Sequence, residues 1–117
     1  MKHNFKNLNI WKMAMILASD IYAETEIFPK SEEFGLKSQI RRCAVSVPSN
    51  IAEGSSRTSN KDFNRFLEIS LGSLFELQTQ ILIAKDRKFI DEEHSNNIEN
   101  TIIELQKMIS GFKKTLN

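Results

Sequence analysis

Ile98, Ile102, Leu105, Ile109, Phe112 and Leu116 recur at alternating spacings of four and three. That period returns one face of an α-helix to the same partner at every turn, and it is the seam of a helical bundle or coiled coil. Asp91-Glu92-Glu93 ahead of the seam and Lys113-Lys114 near its end put acidic charge at the helix start and basic charge at its finish, where the helix dipole favours each. A seam this regular needs other helices to bury it, so the remaining residues are read as its partners.

Three further helical segments are legible. The first is expected over about 8–27, where Leu8, Trp11, Met15, Ala18, Tyr22 and Thr25 recur at helical spacing, with Ile10, Met13, Leu17 and Ile21 on a neighbouring face; Pro29 ends it. The second is expected from near 33–36 to about 56, with Leu36, Ile40, Cys43, Val47 and Ile51 inward. Pro48 lies inside it and removes one backbone hydrogen bond, so a kink is expected in preference to a break, because helical spacing persists on both sides. Gly54 and the polar run Ser55 to Ser59 read as a C-cap and loop, and Thr58 or Ser59 as the next N-cap, with Asp62 in the first turn. The third helix is expected over about 60–85, with two apolar faces. Phe63, Leu67, Ser70, Leu74, Leu77 and Ile81 form one; Phe66, Ile69, Leu71, Phe75 and Leu82 spread onto the other. A small bundle buries one stripe per helix, so the second face calls for another subunit, with Phe66, Ile69, Gly72, Ser73 and Phe75 as its interface.

The fold class is therefore all-α: an antiparallel up-down-up-down four-helix bundle, helix two kinked at Pro48, in one domain over residues 1–117. With 4 Gly and 2 Pro in 117 residues, the turns of a many-stranded fold are missing, and 40% hydrophobic residues suffice for one core. The lone Cys43 forms no intrachain disulfide, which fits a reducing compartment, and its apolar neighbours make it a buried structural thiol. Lys2, Lys6 and Lys12 precede a short apolar run, Met13 to Ala18, far below the roughly 18 residues of a membrane span. The chain is read as cytoplasmic and without a membrane partner.

No catalytic constellation is apparent. The Glu-x-x-His pair of a carboxylate di-metal bundle is absent, as are a phosphate loop, a dinucleotide fingerprint and an elbow serine, so neither metal nor cofactor is expected. The segment that does not read as plain core runs from Arg41 to Gly54. Arg42, Ser46, Asn50, Glu53 and Arg57 align on one helical stripe beside the apolar one, and Pro48 frees the carbonyl of Ala44. Ser46, Pro48, Asn50, Glu53 and Gly54 are read as a structural polar motif fixing how helix two meets helix three or a second subunit. The alternative is that Arg42 and Arg57 contact an anionic partner, with Glu53 orienting one of them. The formal charge is +1, so a polyanion site has to be a local patch. Its candidates are Arg41, Arg42, Arg57, Lys61 and Arg65, which with Lys37 would converge at one end of the bundle if helices two and three are antiparallel neighbours.

Leu8 to Ala14, Ile21-Tyr22, Phe28-Pro29, Phe34 to Arg42, Ser46 to Gly54, Phe63, Phe66-Leu67 and Gly72 to Leu77 together resemble the small bacterial four-helix-bundle proteins encoded in intervening sequences of large-subunit ribosomal RNA genes. The likeness covers nearly the whole chain, and Ser46-Val47-Pro48-Ser49-Asn50-Ile51-Ala52-Glu53-Gly54 is its most specific part. What the resemblance implies is a homopentameric ring of bundles without known enzymatic activity. The same fold looks like the accessory protein of diversity-generating retroelements, a pentamer that binds nucleic acid and a reverse transcriptase. The expectation is thus a non-enzymatic homo-oligomeric scaffold that binds RNA or single-stranded DNA, with a protein-binding adaptor as the alternative.

Overall fold

The computed structural model describes residues 3–116; Met1, Lys2 and Asn117 of the expected domain lie outside the described residues. Four α-helices make up nearly all of it: α1 Asn9–Thr25, α2 Leu36–Ser55, α3 Asn60–Asp86 and α4 Glu92–Lys114. Short 3₁₀ turns at Phe5–Asn7 and Lys30–Glu32 precede α1 and α2, and no strand is present among the described residues. α2 packs on α1 and α3, and α4 packs on α3 and α1, so the helices enclose one core in a body of 46 × 23 × 20 Å.

The helix ends have identifiable causes. Ser59 caps α3 by accepting from the Asp62 amide, and Asp91 caps α4 by accepting from the His94 amide at 2.8 Å. α2 starts behind Gly35, where Glu32 Oε1 accepts from the Leu36 amide at 2.9 Å. α3 ends in a left-handed residue, Lys88 at φ 65°, and the Phe89 amide bonds back to the Ala84 carbonyl at 2.9 Å.

The seam of α4 is buried as the spacing requires through Ile98, Ile102, Leu105 and Ile109; Phe112 is half-buried and Leu116 closes the core just past the helix. The inward stripe of α2 holds as well, at Ile40, Cys43, Val47 and Ile51. Helix one needs a partial correction: of its two expected apolar faces, the one with Ile10, Leu17 and Ile21 supplies most of the core. Its core stripe is Ile10, Ala14, Leu17 and Ile21, whereas Met15 and Tyr22 are exposed. Two overlapping apolar stripes compete there, and Ala14, named in neither, joins the one that packs.

α2 runs without interruption through Pro48, which is buried. Gly54 is a second correction: it is the penultimate residue of α2 and not a cap beyond it, and no glycine has positive φ. Its role is spatial. A Cβ on Gly54 would stand 2.8 Å from Phe63 Cδ1 and 2.8 Å from Phe66 Cβ, so the glycine is what lets α3 approach α2.

Candidate nucleic-acid interface on α2 and α3

The five candidate cations do not form one patch. Arg41 and Arg57 are sixteen residues apart along α2 and its exit, about 24 Å at 1.5 Å per residue, so they lie towards opposite ends of that helix. Arg41 is also committed within the chain. Its Nε donates to Thr25 Oγ1 at 2.8 Å, its Nη2 donates to the Tyr22 carbonyl at 3.0 Å and reaches Glu26 at 3.1 Å, and its guanidinium lies 4.5 Å from the Tyr22 ring centre. Lys37 is buried and paired with Glu33 at 3.0 Å. These two basic groups tie α2 to its surroundings at the α1 end.

Arg57, Lys61 and Arg65 do gather, around the turn from α2 to α3. The guanidinium carbons of Arg57 and Arg65 lie 4.8 and 5.1 Å from the centre of the Phe66 ring, so a single aromatic side chain holds both. Arg57 also pairs with Glu53 at 2.8 Å, and Arg65 stands 3.9 Å from Asp62. Lys61 is exposed and makes none of the ion pairs. Phe66, read from the sequence as part of an intersubunit face, is instead buried under Arg57 and Arg65 and against Gly54.

The polar motif of α2 closes on itself and on α3. Ser46 Oγ donates to the Cys43 carbonyl at 2.8 Å and lies 2.6 Å from Ser73 Oγ; Asn50 Nδ2 donates to the Ser46 carbonyl at 2.8 Å; Ser70 Oγ donates to the Val47 carbonyl at 3.0 Å. Side-chain donors thus surround Pro48, where the backbone ladder lacks one N–H. Cys43 Sγ lies 3.0 Å from the Ser73 carbonyl oxygen, and burial, reinforced by Glu76, pushes its thiol up to about 12. A thiol so held is a neutral donor and no nucleophile.

Between α2 and α3, Gln39, Arg42, Cys43, Ser46, Ser73, Glu76 and Gln80 line a groove of about 460 Å³. Sequence reading placed Arg42 and Ser46 on one stripe but did not find Glu76 and Gln80 as their counterparts; their spacing of four on α3 with Ser73 three residues before is the signal that was there. Of the remaining expected interface residues, Ser73 faces α2, where it meets Ser46 and Cys43, and the other three face outward: Ile69 and Phe75 are 44% and 58% exposed, and a Cβ on Gly72 would meet nothing within 4 Å. Among the described residues there is no cluster of His, Cys, Asp or Glu able to hold a metal ion, and no helix is long and apolar enough to cross a membrane.

The family model for 23S rRNA-intervening sequence proteins matches residues 6–111. Among solved structures, the chain resembles a protein of unknown function from the S23 ribosomal protein family of Bacteroides thetaiotaomicron, with 24% identity, a TM-score of 0.84, and 90% of this chain and 98% of that one covered. The likeness is one of fold. No curated protein matches the sequence.

Proposed function

The chain belongs to the 23S rRNA-intervening sequence protein family, and from that premise we propose that it is a non-enzymatic, cytoplasmic, homo-oligomeric scaffold that binds RNA or single-stranded DNA through the α2–α3 turn. The observation that carries this reading is the trio Arg57, Lys61 and Arg65, two of whose guanidinium groups are held on one ring while Lys61 has no acidic partner among the described residues. Cations whose geometry is set before binding lose less entropy on meeting a phosphate backbone. Each copy carries only a small local excess of positive charge, since Glu53 and Asp62 lie among the three; repetition around a ring multiplies it.

The assembly half of the proposal is a ring, a pentamer by the family resemblance, in which a neighbouring copy covers the outward face of α3 at Ile69, Gly72 and Phe75. Those residues are apolar or small and unpartnered within the chain. The bundle itself is proposed as antiparallel and up-down-up-down, bent at Pro48, because short connectors join helices that pack in sequence order. One observation favours a protein-binding adaptor as the second reading: Phe34 is 95% exposed and Ile27 77% exposed at the connector between α1 and α2, an apolar pair with no role in the core.

The test is fluorescence anisotropy with a labelled structured RNA and a labelled single-stranded DNA over roughly 50 to 200 mM salt. Binding that weakens steeply with salt is expected, and Arg57→Ala with Lys61→Ala is expected to lower the slope by about 2 while the assembly mass stays the same. Absence of binding at the lowest salt, or dissociation of the oligomer by the double variant, would overturn the nucleic-acid reading in favour of the adaptor.

A further inference from the structure

Two polar groups on the α2/α3 groove lack hydrogen-bond partners among the described residues, and a third has only a long contact to sulfur. Arg42 makes none of the ion pairs or side-chain hydrogen bonds among the described residues, although five other lysine and arginine side chains do. Gln80 is only 7% exposed, yet its side-chain oxygen is buried without a hydrogen-bond partner. Glu76 is exposed, and its only hydrogen bond among the described residues is a 3.6 Å approach from Cys43 Sγ. A buried acceptor left unsatisfied costs about 1–3 kcal/mol, so Gln80 marks a place built to receive a donor. The floor beneath these groups is rigid, since Ser46 and Ser73 are bonded to each other and Cys43 to the Ser73 carbonyl.

We propose that this groove is a pocket for an unpaired guanine base. Arg42 contributes a fork of donors on the α2 side, and Glu76 a fork of acceptors on the α3 side. Guanine matches both: its O6 and N7 accept from a guanidinium, while N1–H and the N2 amino group donate to a carboxylate, the amino group also to the Gln80 oxygen once that side chain, closed to solvent in the free chain, turns into the groove. Adenine places an amino donor where Arg42 donates and a ring acceptor where Glu76 accepts. Cytosine offers the carboxylate one amino group in place of two donors, and uracil one N–H between two carbonyls. Guanine is the base that uses both forks, and a volume of about 460 Å³ leaves room for its sugar.

This inference rests on the nucleic-acid reading above, and the experiment separates the two. Anisotropy would be measured with labelled U-rich single-stranded RNA of about ten nucleotides carrying one central guanine, inosine, adenine or cytosine. The guanine strand is expected to bind roughly tenfold or more tighter than the adenine strand, with inosine between them because it lacks the N2 amino group. Glu76→Gln is expected to abolish that preference without altering the salt slope, since Glu76 touches no phosphate. Gln80→Leu, which plugs the groove with an apolar group, is expected to do the same.

Competition with GMP and AMP identifies the source of the base. Displacement by GMP in preference to AMP assigns the pocket to free nucleotides as well as strands; guanine preference in the strand without displacement assigns it to the strand alone. Equal binding of all four strands overturns the pocket and leaves the scaffold standing. No binding of any strand overturns both. Should Arg42→Ala or Glu76→Gln dissociate the oligomer with base preference unchanged, the groove takes a second copy of this chain and the proposal fails.

Discussion

Gly54 on α2 sits so close to Phe66 on α3 that a Cβ added to the glycine would stand 2.8 Å from the phenylalanine Cβ. The obstructing atoms are the root of one buried side chain and the ring of another, Phe63, and neither can swing away as the tip of a lysine would. Gly54→Ala is therefore expected to cost about 1–3 kcal/mol, seen as a lower urea midpoint with an unchanged denaturant slope. Gly111→Ala, inside α4, is its control. Open space surrounds that position in the folded chain, and alanine is the better helix former, so stability is expected to rise by about 0.5–1 kcal/mol.

Arg41 and Thr25 form the other close tie between helices. The threonine hydroxyl donates to the Ile21 carbonyl at 2.7 Å and accepts from Arg41 Nε at 2.8 Å, so removal of the guanidinium leaves a buried oxygen half-satisfied. Arg41→Ala is expected to destabilise the fold by about 1–2 kcal/mol in denaturant unfolding. Arg41→Lys is expected to recover less than half of this, because an ammonium cannot reach Thr25, Tyr22 and Glu26 with one planar fork. Nucleic-acid affinity of the folded Arg41→Ala protein is expected to be unchanged, in contrast to the variant lacking Arg57 and Lys61.

These two contacts mark how far the sequence could be read. Periodicity located four helices and most of the core, because burial of α2, α3 and α4 follows a single dominant stripe. On α1 it found two overlapping apolar faces without ranking them: Ile10, Leu17 and Ile21 of the second pack, Met15 and Tyr22 of the first are exposed, and only the approach of neighbouring helices decides between them. Periodicity has no access to contacts that join distant segments: Thr25 to Arg41, Gly54 to Phe66, Ser46 to Ser73. For the same reason the candidate cations could be named but not grouped. Arg41 belongs to the seam between α1 and α2, Arg42 to a groove, and only Arg57, Lys61 and Arg65 to a common surface.

Lys88 is the one residue at positive φ among the described residues, at 65°, and it occupies the position after the α3 cap where glycine is favoured. A side chain in that conformation costs about 1–2 kcal/mol, against which glycine's greater freedom in the unfolded chain weighs about 0.5–1 kcal/mol. Lys88→Gly is expected to raise stability by up to about 1 kcal/mol, whereas Lys88→Val, branched at Cβ, is expected to lower it. Thermal unfolding of the two variants beside the parent protein checks both signs.

Asp91 and His94 at the start of α4 couple the fold to pH. Asp91 accepts the His94 amide at 2.8 Å and its carboxylate lies 2.7 Å from the imidazole Nδ1. That amide hydrogen bond, and then the imidazole, hold the Asp91 carboxyl below its usual 3.8; Asp91 foremost, with Glu24 of α1 and Glu93 adding negative charge, holds His94 above its usual 6.5. A raised histidine stabilises the fold fully below 6.5 and loses that contribution as pH rises through its folded value; a lowered aspartate contributes fully above 3.8 and loses it as pH falls through its own. The pair is therefore at full strength between 3.8 and 6.5. Proton NMR titration of the imidazole is expected to give a His94 midpoint above 6.5, moving down towards it in Asp91→Asn, a variant that keeps an oxygen to cap the helix. The difference in thermal midpoint between parent and variant is expected to shrink as pH is raised from below to well above the histidine midpoint. An identical His94 midpoint in both proteins would show that the carboxylate does not act on the imidazole in solution.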